Sequence, residues 1–308
     1  MDLSQRIIRT SVDWSGAGIT LADFLAGRFT YRSQAEWCSR IASGEITLNG
    51  KNVIPETILS LHDIIEYRPQ DIIEPPADMN YRIAFEDGNI LVIDKPGNLC
   101  MHPAGPFFKH TLWHLLCSKY GNIHFVNRLD RETSGLLLAA KDPQTAKKLG
   151  RAIRNKSYQV IVHGDFPETL DADGFLVSAN SVIRKKRKFV TQMPDAPPFE
   201  SARTVFRKTS FNNGLSLVDA DLFTGRMHQI RATVNSLGFP VAGDKLYGLD
   251  ENFYLKQRSD ELTENDRQKL LVSRQALHSC HLEFIHPATG ENISADSPLP
   301  DELKQLLS

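Results

Sequence analysis

Hydrophobic positions near the N-terminus repeat with the period of a helix. In "TLADFLAGRF" the apolar side chains fall at Leu21, Phe24, Leu25 and Phe29, which predicts a first helix. "SQAEWCSRIASG" has a Ser-x-x-Glu capping box and a terminal glycine, which predicts a second helix. "EITLNGKNVI" predicts two strands joined by a tight Asn-Gly turn, and "DIIEYRP" alternates like a closing strand. We therefore predict a small α+β unit within residues 1–70.

A proline-bearing, acidic segment follows this unit. The string "RPQDIIEPPADMN" covers residues 68–80 and carries the stiff pair Pro75-Pro76. We predict an extended linker at residues 71–80 and a separate, larger domain over residues 81–308.

Beyond the linker, strand patterns and helix patterns alternate. Apolar or alternating runs predict strands in "NILVIDKP", "GLLLAAK", "SYQVIVHG", "SLVDADLFT" and "QALHSCHLEFIHP". Helical patterns occur in "TLWHLLCSKY", "DPQTAKKLGRAIRN" and "GRMHQIRATVNSLG". The second begins with Asp142 as N-cap and Pro143 at the first helical position, and the third starts with a glycine turn and continues as a helix. Short strands with a few helices predict a mixed α+β sheet rather than a regular parallel array.

Composition and charge narrow the function classes. The 308 residues are 41% hydrophobic and 24% charged, with a formal net charge of −1. Such a chain has no overall attraction to polyanions, so any nucleic-acid binding must come from local basic patches. Four scattered cysteines without a C-x-x-C pair indicate neither a disulfide framework nor a zinc ribbon. With no signal-peptide or membrane-spanning pattern, we expect a cytoplasmic protein without membrane contact.

An acidic side chain stands out in "FVNRLDRETSGLLLAAK". Asp130 lies between Arg128 and Arg131, just before an apolar run that predicts a buried strand. Guanidinium groups on either side would lower the pKa of this carboxyl and keep it ionised. An ionised carboxylate suits a nucleophile or an electrostatic stabiliser, but a structural ion pair explains this stretch equally well.

Several longer strings decide between these interpretations. "NRLDRETSGLLLAAK", "KSYQVIVHG" and "TGRMHQIRATVNSLGFPVAGDKLYG", with "VIDKPGNLCMHPAG" before and "ALHSCHLEFIHPATGE" after them, closely resemble the RluA family of pseudouridine synthases over residues 80–295. The resemblance implies a catalytic domain with a mixed, largely antiparallel sheet, isomerising uridine in RNA without a cofactor. It also implies that Asp130 is the essential carboxylate.

The same resemblance assigns roles to other residues. Tyr158 would lie against the target base, and Arg231 would pair with Asp130 and hold its orientation. Arg128 would fill the place that a flipped uridine leaves. Arg226 would contact RNA or brace the loop of Asp130, and His228 is expected near the substrate as a hydrogen-bonded histidine rather than a proton shuttle.

Two departures from the family pattern stand close to these residues. Asn127 occupies a position where the family usually has histidine, and Met227 replaces the usual threonine of the "GRTHQIR" string. Neither removes a catalytic group, but both put the details of substrate recognition in doubt.

Basic segments add candidate RNA contacts. We predict phosphate contact by an arm in "SVIRKKRKFV", and its candidates are Arg184, Lys185, Lys186, Arg187 and Lys188. Residues 19–68 resemble the small RNA-binding domain named after ribosomal protein S4. That resemblance makes Arg32, Arg40 and Lys51 phosphate-facing candidates, although each is equally well explained as a solvated surface charge.

Other functions are weighed against this one. The histidines and Cys280 of "ALHSCHLEFIHP" do not have the spacing of a metal site, and no glycine-rich loop indicates a nucleotide cofactor. A non-catalytic ribosome-assembly factor would need only the basic segments. A glycosidic hydrolase would need two carboxyls with divergent pKa values, and Asp244, the other marked aspartate, is better explained as a turn residue. We expect a monomer that acts on RNA, with ribosomal RNA favoured over transfer RNA.

Overall fold

The structure, a computed structural model, describes residues 6–29, 32–70, 73–183 and 185–308. The chain divides into two units, Met1–Pro75 and Pro76–Ser308. Within the described residues, no helix is both long enough and apolar enough to cross a membrane.

Local capping and turn chemistry build the first unit. The Ser33 hydroxyl accepts from the Glu36 amide while the Glu36 carboxylate accepts from the Ser33 amide, which confirms the predicted capping box. Asn49 and Gly50 have φ values of 50° and 78°, as a tight hairpin turn requires. Its elements are β1 (Ile8–Ser11), α1 (Leu21–Arg28), α2 (Gln34–Ala42), β2 (Ile46–Leu48), β3 (Lys51–Asn52) and β4 (Ile64–Tyr67).

The strands of the first unit form one antiparallel sheet in the order β1-β4-β2-β3. Strand β1 was not predicted from the sequence. Trp37 on α2 and Tyr67 on β4 meet edge-to-face, with ring centroids 5.4 Å apart, in the unit's own hydrophobic core. The unit therefore has a core that does not depend on the rest of the chain.

The second unit is a long sheet with helices packed against it. Its strands are β5 (Arg82–Glu86), β6 (Ile90–Lys95), β7 (His124–Phe125), β8 (Ser134–Ala140), β9 (Ile153–His163), β10 (Thr169–Ser178), β11 (Arg187–Val190), β12 (Phe199–Asn212), β13 (Leu215–Leu222), β14 (Leu277–Ile285) and β15 (Asn292–Asp296). Its helices are α3 (Leu112–Tyr120), α4 (Pro143–Ala152), α5 (Gln229–Ser236), α6 (Asn252–Ser259), α7 (Glu264–Leu270) and α8 (Asp301–Lys304), and a 3-10 turn (Gln305–Leu307) follows.

The sheet order confirms the predicted fold class. Its main path is β11-β10-β12-β13-β9-β14-β8-β6-β5, with β15 beside β14 and β7 beside β8. Among the described strands, β8 and β14 pair in parallel and the other neighbours are antiparallel. The second unit is therefore an α+β domain with a mixed, largely antiparallel sheet.

A glycine makes the one parallel pairing possible. Gly135, at the start of β8, has φ +104°, and a Cβ atom there would lie 2.1 Å from the backbone oxygen of Ser279 on β14. A side chain cannot be accommodated at that distance, so β8 and β14 can approach only because residue 135 is glycine. This junction holds the loop that carries Asp130 next to the centre of the sheet.

A buried glutamine shapes the turn that leads into α5. The Gln229 side chain accepts from the Arg226 amide at 3.0 Å and donates to the Arg203 carbonyl at 3.1 Å. It thereby ties the turn at residues 224–228 to β12. Helix α5 begins at Gln229, after the turn that was predicted at the front of "GRMHQIRATVNSLG".

Candidate active site

A cavity of about 430 Å³ opens in the second unit between the loop before β8, strand β9 and the turn before α5. Its volume is within the range of roughly 300–1,000 Å³ found for small-molecule sites. The structure brings together, in its lining, Arg128, Asp130, Tyr158, Arg226, His228 and Arg231. Six residues that were singled out in the sequence thus share one site.

Asp130 and Arg231 form the central ion pair of this cavity. Arg231 Nη1 donates to Asp130 Oδ2 at 2.6 Å, across 101 residues of sequence. The arginine side chain is 8% exposed and the aspartate side chain 32% exposed, so the carboxylate is the partner that solvent or substrate can reach. The predicted pairing of these two residues is present in the structure.

The pKa of Asp130 is lowered, but not by the arginines that flank it in sequence. Burial acts to raise the pKa of Asp130, and the charge of Arg231 outweighs it, together with hydrogen bonds from Arg231 and Gln275. Arg131 instead binds Glu132, at 3.2 Å. The carboxyl is ionised as expected, but the physical reason is a guanidinium from a distant helix rather than its sequence neighbours.

Asp244 fixes Arg231 from the other side. Arg231 Nε and Nη2 donate to the two Asp244 carboxylate oxygens at 2.6 and 2.9 Å, in a bidentate fork. Asp244 also accepts from the Leu246 and Tyr247 amides, so it is the turn residue that was predicted. Its contact with Arg231 was missed, although the "AGDKLYG" motif marked the position.

Both aspartates have lowered pKa values, which bears on the hydrolase alternative. At Asp244, as at Asp130, burial acts to raise the pKa and Arg231 outweighs it. A glycosidic hydrolase needs one carboxyl with a raised pKa as general acid. These two carboxyls share one arginine and are both ionised, so this pair does not supply that acid.

Gln275 provides a second hydrogen bond to Asp130. Its Nε2 donates to Asp130 Oδ2 at 3.4 Å and to Thr133 Oγ1 at 2.5 Å, and its backbone amide donates to Glu132 Oε2. Gln275 is buried and lies just before β14. Sequence reasoning missed it because nothing local distinguishes this glutamine; only the fold brings residue 275 to residue 130.

Backbone contacts hold the loop that carries Asp130. The Asn127 side-chain oxygen accepts from the Leu138 amide at 2.8 Å, which ties the loop to β8. The Arg131 carbonyl accepts from the Leu99 amide and from the fully buried Lys95 ammonium. Asn127, a departure from the usual histidine, therefore has a structural role here.

Tyr158 lies on β9 in the wall of the cavity. Its side chain is buried, and burial raises the pKa of the phenol to about 12. The hydroxyl is therefore protonated at neutral pH and acts as a donor rather than as a base. The contact of its ring with the target base stays a prediction, and the structure shows that Tyr158 lines the cavity.

His228 is a neutral histidine next to Asp130. Its Nδ1 lies 3.0 Å from the Tyr247 hydroxyl, and its Nε2 lies 3.8 Å from Asp130 Oδ1. Burial lowers its pKa to about 4. The ring is thus uncharged at neutral pH, and its backbone adopts a left-handed conformation with φ 58°.

Arg128 and Arg226 lie at the rim. Arg128 is exposed and lines the cavity mouth. Arg226 Nε donates to the Ser201 carbonyl at 3.1 Å, with Glu200 at 4.0 Å. Arg226 is therefore partly engaged in bracing the turn, whereas Arg128 projects into solvent.

The basic arm that leads into β11 and includes its first two residues is only partly available for RNA. Lys186 pairs with Glu251 at 2.5 Å and Arg187 with Glu200 at 2.7 Å. Lys185 lies over the Tyr254 ring at 4.8 Å, and Lys188 is exposed. Arg184 lies outside the described residues. Two of the four described cations in this arm therefore already have a carboxylate partner.

No metal centre is found within the described part of the chain. No group of three or more histidine, cysteine, aspartate or glutamate side chains converges there. The buried His278 is hydrogen-bonded to Ser134 and to the Ser297 carbonyl.

Comparison with known families identifies the family of this chain. A family model described as RNA pseudouridylate synthase matches residues 89–236, which includes Asp130, Tyr158 and Arg231. The ribosomal large subunit pseudouridine synthase D of Pseudomonas aeruginosa is 30% identical over 100% of this chain and 96% of its own length. The chain belongs to the RluA family of RNA pseudouridine synthases. It is an isomerase that converts uridine to pseudouridine in RNA.

Other relatives of this synthase differ in their named substrates. The mitochondrial tRNA pseudouridine(32) synthase of Saccharomyces cerevisiae is 32% identical over 75% of this chain but only 51% of its own length. The solved structure of human RNA pseudouridylate synthase domain containing 1 has 21% identity and a TM-score of 0.55, covering 73% of this chain and 86% of that chain. This likeness shows that the synthase has the pseudouridine synthase fold.

Proposed function

We propose that this synthase isomerises uridines in large-subunit ribosomal RNA, with Asp130 as its essential carboxylate. The observation that carries the proposal is the ion pair of Asp130 with Arg231 at 2.6 Å, in a cavity that also contains Tyr158. Pseudouridine formation breaks the bond from C1′ to N1, turns the uracil and joins C1′ to C5, with loss of the C5 proton to solvent and uptake of one proton at N1. An ionised carboxylate can act on the ribose or on the base, and both routes need it deprotonated.

The surrounding groups suit this chemistry. Arg231 holds one carboxylate oxygen of Asp130 and leaves the other open to the cavity. A uridine that leaves its stack can pack on the Tyr158 ring, while Arg128 at the rim occupies the vacated place. His228 lines the cavity as a neutral ring that can form hydrogen bonds without adding a positive charge.

Ribosomal RNA is favoured over transfer RNA by the names of the relatives. Several of them are named for the large ribosomal subunit, and one of these aligns with the whole of this chain, including the first unit. We further propose that the synthase acts in the cytoplasm, which suits a ribosomal substrate, and that it acts as a monomer.

The first unit belongs to this proposal as an S4-like RNA-binding domain. Its two helices and the hairpin at Asn49-Gly50 support that assignment. Lys51 is exposed on the hairpin, whereas Arg40 donates to both Glu45 oxygens at 2.9 Å and Arg32 lies 3.8 Å from Glu36. Lys51 is therefore the best phosphate-facing candidate of the three.

The proposal is tested by mapping pseudouridine in unmodified transcripts. Large-subunit ribosomal RNA and a pool of transfer RNAs are incubated with the wild type and with Asp130→Asn, and modified sites are located by carbodiimide labelling and sequencing. We expect discrete sites in the ribosomal transcript with the wild type and none with Asp130→Asn. Modification confined to transfer RNA would overturn the substrate assignment, and modification by Asp130→Asn at the wild-type rate would overturn the role of Asp130.

An assembly factor that needs no catalysis makes the opposite prediction. For that function, Asp130→Asn would rescue a deletion strain as well as the wild type does. Circular dichroism of the variant controls for folding, since Asn keeps the shape of the side chain but removes its charge.

A further inference from the structure

A lysine of the cavity wall is not explained by the roles above. Lys156 lies on β9 two residues before Tyr158, and both side chains line the cavity. Alternate residues of a strand share a face, so the ammonium and the phenol ring stand side by side, about 7 Å apart along the strand. The intervening Ser157 points to the opposite face, where it donates to Asp221.

Lys156 is half-buried without an anionic partner. Among the described residues, no carboxylate lies within ion-pair distance of its ammonium and no acceptor is within hydrogen-bond distance. Burial lowers its pKa, which is the effect of desolvation without a compensating charge. Other partly buried lysines of the unit are paired: Lys208 with Asp165 and Glu168, and Lys245 with Glu132.

The neighbouring turn leaves the ammonium accessible from the cavity. A Cβ atom at Gly225 would lie 3.4 Å from Lys156 Nζ, so the ammonium lies against a turn that has no side chain at this point. A partly desolvated cation facing an open cavity is costly unless an anion joins it. The missing partner is therefore expected to come with the substrate.

We propose that Lys156 binds a phosphate of the RNA strand beside the target uridine. This inference rests on the proposed function, since it requires the uridine to enter this cavity. Uracil and ribose are neutral, and the phosphodiester groups are the anions of the substrate. The contact would anchor the strand at the wall that also carries Tyr158, so that the base reaches the phenol ring while its backbone remains at the ammonium.

Salt dependence distinguishes a phosphate contact from other roles. Each phosphate neutralised on a single strand contributes about 0.7 to the slope of log K against log salt, and on a duplex about 0.9. The dissociation constant of a (U)12 oligonucleotide is measured between 50 and 300 mM salt, with Asp130→Asn as the background so that no turnover intervenes. Lys156→Met, Lys156→Gln and Lys156→Arg are compared in that background.

The expected result is a change in both affinity and slope. Lys156→Met and Lys156→Gln should bind about tenfold more weakly at the lower salt concentrations, the size of a lost charge-assisted hydrogen bond, with a slope shallower by about 0.7. Lys156→Arg, which keeps the charge, should retain the slope. The matched control Lys208→Met removes a lysine that already has two carboxylate partners, and it should change neither quantity.

Two outcomes would overturn the inference. Neutral variants that bind more weakly with an unchanged slope would show that Lys156 contacts a uracil carbonyl instead, and neutral variants that bind like the background would show that it contacts nothing in the complex. Either result leaves the proposed function intact as long as the wild type forms pseudouridine in the ribosomal transcript. Absence of pseudouridine from every transcript would count against the proposed function, whereas the phosphate contact is tested separately by the salt dependence of binding.

Discussion

Arg231 connects two carboxylates with unequal tasks. Its Nε and Nη2 donate hydrogen bonds to the buried Asp244, and its Nη1 donates to Asp130. Asp244 therefore fixes the guanidinium plane, and that plane in turn fixes the orientation of the Asp130 carboxylate. A planar fork can meet two partners in this way, whereas a lysine ammonium is a point charge.

Arg231→Lys tests this geometry while keeping the charge. The ammonium cannot bind Asp244 bidentately and still reach Asp130, so the carboxylate loses its fixed orientation. We expect kcat for pseudouridine formation to fall about 10²-fold, the order of loss that a small misplacement causes, with KM little changed. Single-turnover and steady-state assays on the modified transcript separate these two constants.

Arg203→Lys is the matched control for that variant. Arg203 also binds an aspartate bidentately, Asp171, but this pair lies on the surface between β10 and β12. It should leave kcat within about twofold, because exposed pairs contribute little. If Arg231→Lys kept the full kcat, the fork to Asp244 would be irrelevant to the chemistry.

The sequence predicted the ion pair of Asp130 and Arg231 but not the residues that support it. Asp130 and Arg231 stand in strings with a recognisable pattern, and so does Tyr158. Gln275 stands in no recognisable motif. Its side-chain amide reaches Asp130 only because the parallel pairing of β8 and β14 brings residues 130 and 275 together. The source of the lowered pKa of Asp130 was mistaken for the same reason, since sequence neighbours were counted and a residue 101 positions away was decisive.

The pairing of β8 with β14 holds together the elements that carry three side chains of the candidate site. Asp130 lies in the loop before β8, and Gln275 lies just before β14. Tyr158 lies on β9, which pairs with the other edge of β14. Gly135 is where the backbones come closest. A change at this pairing should therefore disturb all three side chains together.

Gly135→Ala is expected to destabilise the second unit severely. The new Cβ would clash with the Ser279 carbonyl, and φ +104° is unfavourable for alanine, so strand pairing must break or shift. We expect a loss of more than about 4 kcal/mol in the free energy of unfolding, in the exceptional range for a single substitution. Urea denaturation followed by circular dichroism measures it.

Gly214→Ala separates steric clash from backbone strain. Gly214 also has a positive φ, 75°, but a Cβ there would meet open space. Its cost should be about 1–2 kcal/mol, the ordinary penalty for a left-handed residue. Equal losses for the two variants would mean that close packing of β8 on β14 is not what Gly135 provides.

Elements with local signals were predictable, and those that depend on their neighbours were not. Helix α4 begins where Asp142 caps it, and α2 where its capping box lies. Strand β10 was missed because Asp171, Asp173 and Gly174 are depleted in strands. In the fold, Arg203 on β12 neutralises Asp171, and β11 passes so close that a Cβ at Gly174 would lie 2.3 Å from the Val190 carbonyl.

A net charge of −1 means that the molecule as a whole does not draw RNA to itself. Binding must then be the sum of separate local contacts: the rim and wall of the cavity in one unit, and the exposed Lys51 of the hairpin in the other. Two weak sites on one chain reinforce each other, because binding at the first raises the effective concentration of RNA at the second.

Removal of residues 1–75 tests whether the first unit supplies such a contact. Each unit has its own hydrophobic core, so the shortened chain should fold and keep its thermal transition. All residues of the cavity remain, so kcat should stay within about twofold, while KM for the ribosomal transcript should rise roughly 10²-fold, the lower end of the gain from linking two binding modules. Lys51→Glu in the full chain should raise KM in the same direction by less, with the opposite-charge swap at the exposed Glu56, Glu56→Lys, as its surface control. An unchanged KM after truncation would mean that the second unit alone recognises the RNA and that the first unit does not act as an RNA-binding domain for this substrate.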